Sequence, residues 1–165
     1  MTAVRAAQPT DLPALTDIYN HYVRTGAVTF DVTEFSVEAR QEWFSHYATE
    51  GPHRLLVAVD LDDVLGYATS SPFRPKPAYA TSVETSVYLR WDATGRGVGR
   101  LLYDALFAIL AEQDVHRAYA GVALPNDASV ALHERLGFRE IGTYVEVGRK
   151  MGRYWDVRWF ERPVP

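Results

Sequence analysis

The sequence predicts a mixed α/β fold, α+β in character, with helices alternating with strands and hairpins interrupting the alternation. Three patterns carry this. Apolar residues recur at every second position in "TSVETSVYLR", residues 81–90, as in a strand. They recur three and four apart in the segment that begins at Leu12, as in a helix. "RLLVAVDL" and "VLGYATSS" read as two strands joined through Asp62-Asp63, a hairpin.

The elements follow in order. "AVRAA" is a short strand. Thr10 is placed to cap a helix, with Asp11 in its first turn and Leu12, Leu15, Ile18, Tyr19 and Tyr22 on one face. Gly26 stops it. Ser36 is a second N-cap, for a helix carrying Val37, Trp43, Phe44 and Tyr47 and ended by Gly51-Pro52. After the hairpin, "PFRPKPAY" holds Pro72, Pro75 and Pro77, which cannot donate to a sheet ladder, so it is a loop. The next strand puts Val83, Thr85, Val87 and Leu89 on one face and Ser82, Glu84, Ser86 and Tyr88 on the other. An apolar helix through Gln113 and a strand "HRAYAGVAL" lead to a helix opened by Asn126 and closed by Gly137. "FREIGTYVEVG" and "RYWDVRWFERP" are closing strands. There is no internal repeat or linker, so residues 1–165 form one expected domain.

Composition narrows the function classes. Apolar residues make up 47% of the 165, enough for a sizeable core, and charged residues 23%. A net charge of -4 argues against a nucleic-acid partner but leaves room for an anionic small ligand at a locally basic site. The absence of cysteine excludes disulfides, thiolate metal sites and a cysteine nucleophile. The first residues carry no long apolar run, so no signal peptide is expected. No stretch approaches the ~18 consecutive apolar residues of a membrane span, so a cytoplasmic protein without a membrane partner is expected.

"TGRGVGRLLYDALF" places Gly95, Gly97 and Gly99 at alternate positions before a helix. Two meanings stand side by side. The glycines permit a tight strand-to-helix turn. They also let an anion approach main-chain amides at a helix N-terminus, with Arg96 and Arg100 adding charge. The spacing is neither a Walker loop nor a dinucleotide-binding fingerprint, since Arg100 stands where the latter needs a small residue.

"TGRGVG", between a strand and a helix, resembles the acetyl-CoA pyrophosphate loop of the GNAT superfamily of N-acetyltransferases, Arg/Gln-x-x-Gly-x-Gly/Ala. Gly97 and Gly99 match; Thr94 stands where that pattern has Arg or Gln. "LHERLGF" is similar to the superfamily's Leu-Tyr-x-x-x-Gly-Phe. Within the superfamily, "IYNHYV", "TFD", "FRPKPAY", "TSVETSVYL", "LPNDASVALHERLGF" and "GRKMGRYWDV" resemble, in order and across nearly the whole chain, the phosphinothricin/methionine sulfoximine acetyltransferase group.

The resemblance implies a GNAT fold, a central mixed and mostly antiparallel sheet flanked by helices. It implies direct acetyl transfer from acetyl-CoA to the α-amine of a small amino-acid-like substrate, with no metal. It also implies roles. Glu84 would take the amine proton, and His133 would assist the thiolate. Gly95, Arg96, Gly97, Val98, Gly99 and Arg100 would hold the pyrophosphate. Val87, Tyr88, Leu89, Asn126 and Ser129 would contact the acetyl group and pantetheine. Phe30, Arg74, Lys76, Ala78 and Tyr79, with Glu84, would bind the substrate. An unperturbed glutamate, at a pKa near ~4.3, is several units below a typical amine, so Glu84 needs an intervening water or a raised pKa. Asn126 and His133, seven residues apart, share a helix face about 10 Å apart along the axis. Tyr154, Trp155, Trp159 and Phe160 either cap the core or build an interface, and related enzymes are commonly homodimers. Rival expectations are an acetyltransferase for another amine, a non-catalytic acyl-CoA-binding module and a nucleotide-binding protein.

Overall fold

The computed structural model, which describes residues 1–165, places the elements in the expected order. Strand β1 (Ala3–Ala6) leads to helices α1 (Leu12–Thr25) and α2 (Val37–Ser45). Strands β2 (Leu55–Asp60), β3 (Asp63–Pro72) and β4 (Ser82–Leu89) follow, then α3 (Val98–Leu110), β5 (Arg117–Leu124) and α4 (Asp127–Arg135). Strands β6 (Arg139–Lys150) and β7 (Arg153–Pro163) close the chain. The seven strands make one sheet in the order β1-β2-β3-β4-β5-β7-β6. Every pair is antiparallel except β4 with β5, which α3 connects as a crossover.

The sheet is covered on both faces, so β2 and β3 are buried along most of their length rather than at alternate positions. Val83, Leu102, Tyr103, Leu106, Phe138 and Phe160 belong to one buried core, against which Val87 and Leu89 pack. Leu15 and Ile18 of α1 bury with Val57 and Tyr67 in a second core, against which Tyr88 and Trp43 pack. The alternation of β4 thus divides the molecule. Its odd-numbered residues face α3 and α4, and its even-numbered residues share the α1–α2 side.

Several local expectations are corrected. Thr10 caps nothing. Pro9–Asp11 forms a 3₁₀ turn instead. Arg5 reaches Asp11 with both guanidinium arms, at 2.7 and 2.8 Å, and Asp11 Oδ2 also accepts the Gln8 amide at 2.7 Å. A buried carboxylate with an arginine fork and a main-chain donor outcompetes a threonine cap. The β2–β3 turn is Leu61-Asp62, one residue early, with Leu61 at φ 55. α2 stops at Ser45, so Tyr47 lies beyond it, and α3 stops at Leu110 rather than Gln113. Gly137, at φ 81, ends α4 as expected. Its amide bonds the Glu134 carbonyl and the Phe138 amide bonds that of His133, a Schellman closure. The β6–β7 hairpin turns at Met151-Gly152, both at positive φ, the conformation that matches strand twist.

Candidate active site

β4 and β5 pair at only three positions, the last being Glu84 with Tyr119. Both strands continue, β4 to Leu89 and β5 to Leu124, but they no longer pair. The sheet therefore opens into a V. Along its β4 arm, the main chain of Thr85 to Leu89 has no β5 partner. Glu84 sits at the apex. Burial pushes its carboxyl above the ordinary glutamate value, and the nearby Arg74 charge only partly opposes this.

A narrow cleft of about 50 Å³ lies in the V, lined by Thr85, Val87, Tyr103, Asn126, Ser129 and His133 among others. Asn126 is the N-cap of α4, its Oδ1 accepting the Ser129 amide at 3.1 Å, which leaves its side-chain NH₂ group unused by the cap. His133 is 3% exposed. Its Nδ1 lies 2.7 Å from the Ser129 carbonyl, an acceptor only, so Nδ1 carries the proton. Nε2 then accepts from the Tyr103 hydroxyl at 3.2 Å. Burial lowers the His133 pKa and the Ser129 carbonyl offsets only part of that, so the ring is neutral at pH 7. With Nδ1–H donating to the Ser129 carbonyl and Nε2 accepting from Tyr103, both ring nitrogens are engaged. Tyr103, overlooked in the sequence, supplies the hydroxyl at this position, and burial raises its pKa strongly. Its signal was a lone phenol on the apolar face of α3, where a buried hydroxyl needs a partner.

The three glycines divide into two kinds. Gly95 and Gly97 lie at φ 72 and 80, with open space where a side chain would begin. Gly97 caps α3 without any side-chain acceptor, so the first-turn amides stay free beside exposed Arg96 and Arg100. Gly99 is different: it is helical and buried, and a Cβ there would lie 3.1 Å from Leu132 Cδ2. It serves the approach of α4 to α3. The opposing demands of turn and anion site are both met, but by different residues. Val98 is buried in the α3 core. The glycine turn thus offers free first-turn amides beside two guanidinium groups, and the cleft in the V offers the unpaired edge of β4 with Asn126 and Tyr103.

The expected substrate residues are only partly gathered. Arg74 stacks on Phe73 at 4.3 Å and borders a cavity of about 230 Å³ with Tyr119, Tyr144 and Trp159. Tyr79 meets the Phe73 ring edge-on at 5.9 Å. Lys76 and Ala78 are exposed and line neither this cavity nor the cleft. The Phe30 ring lies on Gly148 of β6, where a Cβ would come within 2.2 Å of it. Among the terminal aromatics, Phe160 is core and Tyr154 is exposed, while Trp155 Nε1 donates to the Lys150 carbonyl at 2.9 Å. A larger cavity of about 320 Å³, absent from the sequence-based expectations, lies beneath α2 on the Glu84 side of the sheet.

The chain is similar to known proteins over nearly its whole length. Residues 4–159 match the model of the acetyltransferase (GNAT) domain. The chain is 59% identical over 163 residues to a phosphinothricin N-acetyltransferase of Streptomyces coelicolor, covering 98% of this chain and 95% of that one. It is 37% identical over 160 residues to an L-methionine sulfoximine/L-methionine sulfone acetyltransferase of Pseudomonas paraeruginosa, covering 96% and 92%. A phosphinothricin acetyltransferase of Sinorhizobium meliloti, solved with acetyl-CoA, superposes with a TM-score of 0.93 at 33% identity, covering 99% of this chain and 88% of that one.

Proposed function

The chain belongs to the GNAT acetyltransferase family, and on that premise we propose that it acetylates the α-amine of phosphinothricin, methionine sulfoximine or methionine sulfone. The observation that carries this reading is the V between β4 and β5, with a carboxylate of raised pKa at its apex. Acetyl-CoA, when bound, supplies an activated carbonyl and a thiolate leaving group.

A bound ammonium gives up two protons on becoming an amide N–H; one leaves before the nitrogen attacks, and the other leaves the nitrogen as the amide forms and reaches the released thiolate through solvent. Glu84 takes the proton that leaves first, through a water, and its raised pKa shortens the gap to the amine. Unpaired main-chain N–H groups along Val87 to Leu89 polarise the thioester oxygen. Tyr103 turns its hydroxyl from His133 to the departing sulfur, donating a hydrogen bond while its high pKa keeps the proton on oxygen. His133 positions Tyr103. Gly95 to Arg100 hold the pyrophosphate through first-turn amides and two guanidinium groups, and Asn126 and Ser129 hold the pantetheine arm. Arg74 binds the α-carboxylate beside Glu84, with Tyr79 and Phe30 as walls of the site.

The chain works as one domain, residues 1–165, in the cytoplasm and as a homodimer, with neither nucleic acid nor membrane as partner. Ile141, Tyr144, Val145, Val147 and Tyr154 on the terminal hairpin are exposed apolar residues that a second copy would cover. No helix is long and apolar enough to cross a membrane. The test is CoA-thiol release with phosphinothricin, methionine sulfoximine, methionine sulfone, ordinary amino acids and polyamines. Saturable turnover of the first three, cut by about 10²-fold or more in Glu84→Gln, is expected. Turnover confined to other amines would overturn the substrate class, and an unchanged Glu84→Gln the base.

A further inference from the structure

The cavity beneath α2 contains a buried arginine. Arg40 is 5% exposed, and its Nε and Nη2 are buried with no hydrogen-bond partner. These two nitrogens form one edge of the guanidinium, the side-on fork that matches both oxygens of a carboxylate or phosphinate. The flat faces are occupied: the guanidinium carbon lies 3.6 Å from the centre of the Trp43 ring and 4.4 Å from that of Tyr19. Stacking fixes the plane and leaves hydrogen bonding to the edges. Asp31 borders the same cavity but takes the Tyr19 hydroxyl instead. A buried cation without a paired anion is expensive, and its unused fork marks a place where an anion is accommodated.

Other donors converge on the same space. Tyr67 lines the cavity with a buried hydroxyl that has no partner. Thr69 and Ser86 add hydroxyls to the lining. The volume, about 320 Å³, suits an amino-acid-sized group. The position suits it too. Ser86 is two residues from Glu84 on the same face of β4, about 7 Å along the strand. Ser86 and Tyr88 line both this cavity and the cleft in the V.

Building on acetyl transfer to an amino-acid-like amine, we propose that the Arg40 cavity receives the distal oxyanion of the substrate side chain and selects phosphinates over neutral sulfones. The α-amine then lies at Glu84 and the α-carboxylate at Arg74. A phosphinate on the γ-carbon lies in the plane of Arg40, taking Nε–H and Nη2–H, with Tyr67 and Thr69 donating to its oxygens. A sulfone fits the same space but carries no charge, so it gains less from the fork.

The test compares kcat/KM for phosphinothricin and methionine sulfone in the parent protein, Arg40→Lys and Arg40→Gln. Arg40→Gln is expected to lower phosphinothricin turnover about 100-fold and sulfone turnover less than about tenfold. Arg40→Lys keeps the charge but loses the fork, and is expected to shift the ratio in the same direction by a smaller factor. A ratio that stays constant while both values fall would show that Arg40 only supports α2, and would overturn the proposal. If Arg40→Gln does not fold, Tyr67→Phe removes a single hydroxyl from the cavity. Its loss is expected to fall on phosphinothricin, and equal losses again overturn the proposal. A parent protein that acetylates methionine sulfone but not phosphinothricin refutes the anion site alone. One that acetylates neither refutes the proposed function, and this use of the cavity with it.

Discussion

Gly97→Ala and Gly99→Ala separate the two uses of glycine before α3. Gly97 sits at φ 80 with nothing within 4 Å of an added Cβ. The only folding penalty is therefore the left-handed backbone, about 1–2 kcal/mol for an L-residue, reduced by the lower entropy of the unfolded alanine chain. A net loss of about 1 kcal/mol lowers the melting temperature by about 2–4 °C at this chain length. The new methyl group also points into open space beside the first-turn amides. Losing one charge-assisted hydrogen bond to the pyrophosphate weakens acetyl-CoA by about tenfold or more. At Gly99 the backbone is helical, so alanine gains up to about 1 kcal/mol of helix propensity. That gain is opposed by the tight approach to Leu132 Cδ2 at 3.1 Å, while Leu89 Cδ1 at 3.6 Å is at ordinary contact distance. The expected result is a small change in melting and little change in acetyl-CoA affinity. Thermal unfolding without ligand and calorimetric titration with acetyl-CoA read the two effects independently. Stronger loss of acetyl-CoA binding in Gly99→Ala than in Gly97→Ala would refute the division. So would a Gly97→Ala protein that melts with its parent.

Two further outcomes follow from the ionisable groups. Burial pushes Asp11 up, but the Arg5 fork and the Gln8 amide outweigh it and hold its pKa below the ordinary value. Its contribution to stability is therefore present above the unfolded pKa, near ~3.9, and is lost as pH falls through the lower folded value. Asp11→Asn is expected to destabilise by about 1–3 kcal/mol at neutral pH and to flatten that part of the acid-unfolding profile; an unchanged profile would contradict the pairing. For Glu84, the acid limb of kcat/KM is expected above the ordinary glutamate value, with activity falling as pH falls through it, because the protonated acid accepts nothing. The Arg74 charge holds this pKa down, so Arg74→Gln moves the limb upward; a stationary or lowered limb would separate Arg74 from Glu84.

The elements that could be read from sequence were those set by local pattern. β4 is an example: its alternation assigns Val83 and Val87 to one core and Tyr88 to the other side, because a strand has only two faces. Ser36 and Asn126 cap helices as placed, each bonding the amide three residues on. Where two local signals competed, a distant residue decided. Thr10 lost to Asp11 because Arg5, on β1, folds back onto it. In the site, Glu84 was visible as a residue, but not its position at the last β4–β5 pair, since a parallel pairing depends on a strand some thirty residues away. Arg40 was invisible for a different reason. An arginine in "VEARQEWF" reads as the solvent face of a helix, yet Val37, Arg40 and Trp43 recur at three-residue spacing and share a face. Burial of a guanidinium on an apolar stripe is a tertiary event that periodicity does not encode.

The placement of Glu84 and His133 bears on how the chemistry is divided. They lie on opposite sides of β4: His133 is stacked on Phe160, its ring 5.7 Å away, in the α3–α4 core, and Glu84 is on the Arg74 side. A direct proton relay between them would have to cross the strand. In the proposed reaction the two groups have separate tasks. The amine is the stronger base and needs a carboxylate of raised pKa to accept its proton. A thiol, with a pKa near ~8.5, is a good leaving group that needs only a donor while charge develops on sulfur. The Tyr103 hydroxyl, released from neutral His133 in the proposed reaction, meets that need without bringing a second charge into a buried cleft, where an unpaired ion would be costly. In the proposed reaction the open arm of the V is where the two half-sites meet, so the transferred acetyl group, rather than a chain of side chains, connects the base to the donor.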